Sequence, residues 1–141
     1  MAARKKPVYP DRDTSTGPYS PGIIVGQTVY VAGQGPLEPA IGAIVGGTIE
    51  EQTELTLSNV RRVLQAAGCT MDDCVKVGVH LLDIGDFERF NSVYRTFFTK
   101  PYPARTTVQS VLWHGILVEI DAIAVRGCGG ERDRRGAHAL A

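Results

Sequence analysis

The sequence predicts a two-layer α/β (α+β) sandwich in which a mixed β-sheet carries two helices on one face. Three observations lead there. Short runs of β-branched residues recur along the chain, two segments between them space apolar residues by three and four, and the length suits one domain. At 141 residues, 43% hydrophobic and 21% charged, the chain lies in the ordinary globular range with no room for a second domain. A chain near this length buries roughly two-thirds of the surface its unfolded form exposes, enough for a core without disulfide or metal staples.

Residues 1–13 are polar, charged and interrupted by proline, and 129–141 are rich in Gly, Arg and Ala, so both ends read as flexible tails around a single domain at 14–128. Ile23-Ile24-Val25 and Thr28-Val29-Tyr30-Val31 form a hairpin, with Gly26-Gln27 as its turn. Gly33-Gln34-Gly35-Pro36 ends the second strand, and a short extra strand is expected near Ala43 to Val45. Thr48 and Glu51 make a capping box ahead of Leu57, Val60, Leu64 and Ala67, which predicts a helix from about 49 to 67 closed by Gly68. Val75, Val77, Val79 and Leu81 then alternate with Lys76, Gly78, His80 and Leu82 as a strand with one strongly apolar face. Asp86 is placed to cap a second helix that packs Phe87, Phe90, Tyr94 and Phe97 on one side and stops before Pro101 and Pro103. Two further β-rich runs, 106–112 and 116–125, flank Trp113-His114-Gly115. Two helices cover one sheet face, so the other is expected to be covered by partner subunits.

Lys plus Arg equals Asp plus Glu at 15 each, but the balance is uneven along the chain. The segments 1–13 and 126–141 each carry +2, leaving −4 on 14–125. Nucleic-acid binders draw their affinity from a basic face on the folded part, and this body lacks the excess. Cys69, Cys74 and Cys128 contain no C-x-x-C pair, and with His80, His114 and His138 they complete no zinc spacing, so free thiols and no metal are expected. No apolar h-region follows the basic start and no run approaches 18 apolar residues; a cytoplasmic protein with no membrane partner is expected.

Few residues suggest chemistry. Glu119 interrupts the apolar strand 117–125, on the same side as Asp121 and opposite Val118, Ile120 and Ala122. It is either a carboxylate on a solvated face or a partly buried acid that holds a water. Arg105 follows Pro101-Tyr102-Pro103-Ala104 at a strand start, where a rigid approach would hold a planar guanidinium for an anionic ligand; a structural arginine is the alternative. Tyr19, between Pro18 and Pro21, is a packing aromatic or a site lid. His80 reads as structural or surface, and Cys69 and Cys74 as buried or incidental thiols. No Ser-His-Asp set, P-loop or dinucleotide fingerprint is present.

Five strings are jointly recognisable: Gly17-Pro18-Tyr19-Ser20, Val31-Ala32-Gly33-Gln34-Gly35-Pro36-Leu37, Asn91-Ser92-Val93-Tyr94, Pro103-Ala104-Arg105-Thr106-Thr107-Val108 and Val118-Glu119-Ile120-Asp121-Ala122-Ile123-Ala124. In them the chain, from about Gly17 to Arg126, resembles the reactive intermediate deaminases, the RidA/YjgF or endoribonuclease L-PSP-like family. The resemblance implies a chorismate-mutase-like fold, a homotrimer with sites in the clefts between subunits, and hydrolysis of small reactive 2-imino acids to 2-oxo acids and ammonia without a cofactor. It further implies that Arg105 holds the substrate carboxylate, Glu119 positions or activates the water, and Tyr19 closes over the substrate. Gly33, Asn91 and Thr107 would line the substrate site, Thr107 through backbone groups near the imine nitrogen. Ala32 stands where active members commonly carry serine, and the 110–115 loop with Trp113 lacks the family's Arg-Leu-Pro-Lys-like run. The missing hydroxyl leaves a second reading, a non-catalytic trimer that binds small carboxylates, and endoribonuclease activity ranks below both because the body is acidic.

Overall fold

The structure, a computed structural model, describes residues 2–11 and 17–130. Eight strands and two helices follow one another as β1 (Lys6–Val8), β2 (Gly22–Val25), β3 (Thr28–Gln34), β4 (Leu37–Glu38), β5 (Ala43–Ile44), α1 (Ile49–Ala66), β6 (Cys74–Leu81), α2 (Phe87–Tyr94), β7 (Ala104–Gln109) and β8 (Val118–Val125). Six strands form one mixed sheet in the order β1-β2-β3-β8-β6-β7, with β6 and β7 parallel and every other neighbouring pair antiparallel. The short β4–β5 pair stands apart.

The local signals account for most of these elements. Gly26 adopts φ 60° in a two-residue turn across which Val25 pairs with Thr28. Thr48 Oγ1 accepts from the Glu51 amide, and Glu51 Oε1 accepts from the amides of Gly47 and Thr48, closing the capping box of α1. Gly68, at φ 80°, turns the chain out of the helix. The strand at Ala43–Ile44 is present, paired with β4.

Four expectations need correction. Lys6–Val8 lies within the segment read as a flexible tail, yet it pairs antiparallel with β2, because one apolar anchor, the buried Val8, suffices to add an edge strand. Of the two segments read as tails, residues 1, 12–13 and 131–141 lie outside the described residues. Val75, expected on the apolar face of β6, is 41% exposed: the register slips between Cys74 and Lys76, and Cys74 takes the inward position. Asp86 does not cap α2 with its side chain. A 3-10 turn at 84–86 runs straight into the helix, Asp83 accepts from the Gly85 amide at 2.8 Å, and Asp86 faces Arg89 instead. The run at 106–112 is strand only to Gln109; it begins two residues earlier, and Trp113–Gly115 forms a tight turn with His114 at φ 49°.

Both helices lie on one face of the sheet. Leu57, Val60, Val63 and Leu64 of α1 and Phe90 and Tyr94 of α2 are buried with Val29, Val31, Val77, Val79, Leu81, Val118, Ile120 and Ala122 in one core. The opposite face, with Tyr30, His80, Val108, Glu119 and Asp121, has no layer over it among the described residues. No helix among the described residues is long and apolar enough to cross a membrane.

Thr48→Ala removes the cap of α1 and should lower the unfolding free energy by about 1 kcal/mol in a urea titration. The amides around Glu51 hold its carboxyl below the usual carboxylate range, so its contribution is present above the unfolded-state value and is lost as pH falls through the lower folded one. Glu51→Gln should lack that part of the acid dependence.

Candidate functional site

Arg105 lies on β7, the edge strand, in register with the buried Val77, so its side chain rises on the helix side of the sheet. There α2 supports it. The guanidinium carbon sits 4.6 Å from the ring centre of Tyr94 and 5.5 Å from those of Phe87 and Phe90. Three ring faces hold a weakly hydrated planar cation without occupying its N–H edge, and no carboxylate among the described residues pairs with it. A hollow of about 270 Å³ opens at this point, lined by Asn91, Tyr94, Arg95, Tyr102, Pro103 and Arg105. Burial pushes the Tyr94 phenol up to about 12, against the pull of the Arg105 charge and N–H groups beside it, although no hydrogen bond of good geometry joins the two. Thr107, two residues along on the same face, also has its hydroxyl oxygen buried without a partner among the described residues.

Glu119 faces the other way. It sits opposite His80 on β6 and alternates with the fully buried Val118 and Ile120, so it emerges on the face the helices leave uncovered. The β3–β8 register shifts between Val31 and Gln34, and in that irregularity a Cβ on Gly33 would fall 2.4 Å from Glu119 Oε2. Glycine at 33 therefore lets the carboxylate lie against strand β3. Tyr19, Ala32, Gly33, Trp113, Ile116 and Glu119 border a second hollow, of about 540 Å³, with Leu37 and His114 among its remaining walls.

The walls of this second hollow are tied down from beneath by two amides that the sequence reading did not single out. Asn59 donates to the carbonyls of Gly35 and Leu37, at 3.0 and 2.8 Å. Gln52 donates to Gly46 and accepts from the Leu117 amide, both at 2.8 Å, just before Glu119. Both side chains are buried. The available signal was their spacing of seven, which puts polar residues on the buried face of an amphipathic helix where apolar ones are expected.

The six sequence-selected residues thus fall into two sets: Arg105, Asn91 and Thr107 on the helix side, and Glu119, Tyr19 and Gly33 around the second hollow. One chain does not bring Arg105 and Glu119 together. His80 hydrogen-bonds Ser110 Oγ at 2.7 Å. Burial pushes the thiols of Cys69 and Cys74 up to about 11 and about 12, so they remain protonated and poorly nucleophilic at neutral pH. Cys128 is exposed, its sulfur 3.3 Å from the Asp73 carbonyl. No group of three His, Cys, Asp or Glu residues among those described could hold a metal ion.

This sandwich, with one bare sheet face and its polar groups divided between two sides of the sheet, defines a class of small mixed α/β proteins. A family model described as endoribonuclease L-PSP matches residues 10–126, and the chain belongs to that family, the RidA/YjgF family. The RutC family protein SSO3206 of Saccharolobus solfataricus is 49% identical over 109 residues, covering 77% of this chain and 86% of its own. The 2-iminobutanoate/2-iminopropanoate deaminase of Bos taurus is 43% identical over 112 residues, covering 79% and 82%. Among solved structures, yeast Mmf1 matches at TM-score 0.81 with 34% identity, over 87% of this chain and 99% of that one. E. coli TdcF with bound serine matches at TM-score 0.78 with 35% identity, over 86% and 98%.

A thiol reagent such as DTNB at neutral pH should titrate Cys128 in the folded protein, and Cys69 and Cys74 only after denaturant is added. Rapid reaction of all three thiols would contradict the burial of the other two.

Proposed function

We propose that this protein hydrolyses small reactive 2-imino acids to 2-oxo acids and ammonia. The observation that carries the reading is Arg105: a guanidinium braced on three aromatic rings, facing a hollow, with no carboxylate among the described residues to neutralise it. Such a group suits a ligand carboxylate, which it can bind through two parallel N–H···O bonds. The deaminase names of mammalian relatives and the serine bound to TdcF point to the same ligand chemistry.

In this reading Arg105 clamps the carboxylate and Glu119 takes a proton from a water as the water oxygen bonds to the imine carbon. Glu119 returns that proton to the nitrogen of the resulting carbinolamine, the C–N bond breaks as the hydroxyl oxygen becomes the carbonyl, and the departing ammonia takes the hydroxyl proton, so the 2-oxo acid and ammonium leave with Glu119 a carboxylate again. Protonated imine plus water thus gives oxo acid plus ammonium, with no electron transfer. Imines already hydrolyse in water, so placing a carboxylate, a water and a base in fixed relation is the main task.

That relation requires two copies of the chain. Residues on opposite faces of one sheet cannot converge on one small substrate, whereas a neighbour that lays its Arg105 side against the Glu119 hollow completes the set and covers the bare sheet face. A closed ring of three copies has three such seams. The second reading, a carboxylate-binding trimer without turnover, is favoured by Ala32, which supplies no hydroxyl to the wall beside Glu119.

Generating 2-iminobutanoate and 2-iminopropanoate with an amino-acid oxidase in the presence of semicarbazide tests both. Wild type should lower semicarbazone formation; binding of 2-oxo acids without such loss would favour the binding reading. Arg105→Ala should reduce kcat/KM on the order of a hundredfold, the scale of two lost hydrogen bonds to a charge, and Glu119→Gln by about 10²–10⁴. Gly33→Ala, whose Cβ displaces the carboxylate, should leave the melting temperature nearly unchanged and cut activity at least about tenfold. Inactive Arg105→Ala and Glu119→Gln chains, unfolded and refolded together, should recover about a quarter of wild-type sites, because half-sites from different copies recombine. No recovery in a mixed assembly would overturn the two-copy site.

A further inference from the structure

Tyr94 contributes a ring to the core, and a phenylalanine would do the same: Phe87 and Phe90 already face Arg105, and Tyr94 stacks between Phe90 and Phe98 at centroid distances of 5.4 and 4.7 Å. Its hydroxyl is the anomaly. The residue is 5% exposed, the oxygen is buried, and among the described residues no hydrogen bond of good geometry reaches it, the Arg105 N–H groups beside it leaving its own O–H without an acceptor. A buried hydroxyl left unpaired costs on the order of 1–3 kcal/mol, a cost that Phe would remove. The same residue walls the Arg105 hollow, with the guanidinium resting on its ring, so an anion on the N–H edge of Arg105 arrives at the rim of that ring.

We propose that Tyr94 is a ligand-binding residue whose buried hydroxyl donates a hydrogen bond to the carboxylate held by Arg105. The inference rests on the reading of Arg105 given above and adds a second, neutral donor to it. The phenol suits the role because burial keeps it protonated: at neutral pH it offers O–H and does not set a negative charge against the ligand's. The hydroxyl is then destabilising in the empty protein and satisfied only when the site is filled.

Tyr94→Phe therefore has two opposite consequences. In calorimetric melts without ligand the variant should be at least as stable as wild type. In isothermal titrations with 2-oxobutanoate or pyruvate it should bind roughly tenfold more weakly, the scale of one hydrogen bond to a charged acceptor. Turnover of the imines should show the loss in KM with kcat little changed, because the carboxylate contact exists in both ground and transition states. A Tyr94→Phe protein that binds these acids as tightly as wild type, while Arg105→Ala does not bind, would overturn the role of Tyr94 and leave that of Arg105 standing. A variant that melts well below wild type would show that the hydroxyl has a partner in the empty protein, and would also overturn it. If folded wild type binds no 2-oxo acid, the Arg105 reading itself fails and the donor role falls with it.

Discussion

Strand β8 is the constraint on which the remainder depends. Val118, Ile120, Ala122 and Ala124 point into the core beneath α1, and this forces Glu119 and Asp121 to the opposite face, since successive strand residues alternate. A slip of one residue would bury two carboxylates under a helix and expose four apolar side chains, so burial energy pins the register strongly. The same logic acts on β6 and β7. Val77 and Val79 face inward, Arg105 and Thr107 lie beside them in register, and His80 goes outward with Glu119. The core thereby decides which face each polar group occupies, before any chemistry is considered.

Several features of the two hollows run against the preferences of a well-packed domain. Glycine rather than a β-branched residue occupies position 33 in mid-strand, where a side chain would meet Glu119. An arginine rests half-buried on aromatic rings with no carboxylate among the described residues, and no hydrogen bond of good geometry from those residues reaches the hydroxyls of Tyr94 and Thr107 near it. Polar amides replace apolar residues on the buried side of α1, where Gln52 and Asn59 tie the loops that border the Glu119 hollow. Departures of this kind mark surfaces shaped by something other than core packing, whereas α1 and the central strands follow pattern and capping rules closely.

Much of this was legible from residue order. The capping box at Thr48 and Glu51, the glycine turn at Gly26 and the alternation of Val118 to Val125 are local signals, each set by neighbours within four residues, and each appears in the structure as read. The misreadings share a different origin. Val75 was expected inside because strict alternation has no term for a bulge, and the pairing that creates the bulge comes from β8, some fifty residues away. Asp86 has the side chain of a cap, but a tight turn ahead of it already supplies a helical entry. Val8 is one apolar residue in a charged segment, and only the free edge of β2 turns it into a strand.

The sequence by itself determined the order of the two helices and the central strands, the boundaries of α1, the polar character of Arg105 and Glu119 and, through five ordered motifs, the family. These depend on local chemistry and on composition, which a linear string records completely. Tertiary structure alone decided that α2 would set three rings beneath Arg105, that the Tyr94 hydroxyl would be buried beside that guanidinium, and that Arg105 and Glu119 would open on opposite faces. Each of those facts depends on which strand lies beside which. Pairings such as β8 between β3 and β6 are chosen by the burial of whole faces at once, a collective free energy that no single window of residues contains.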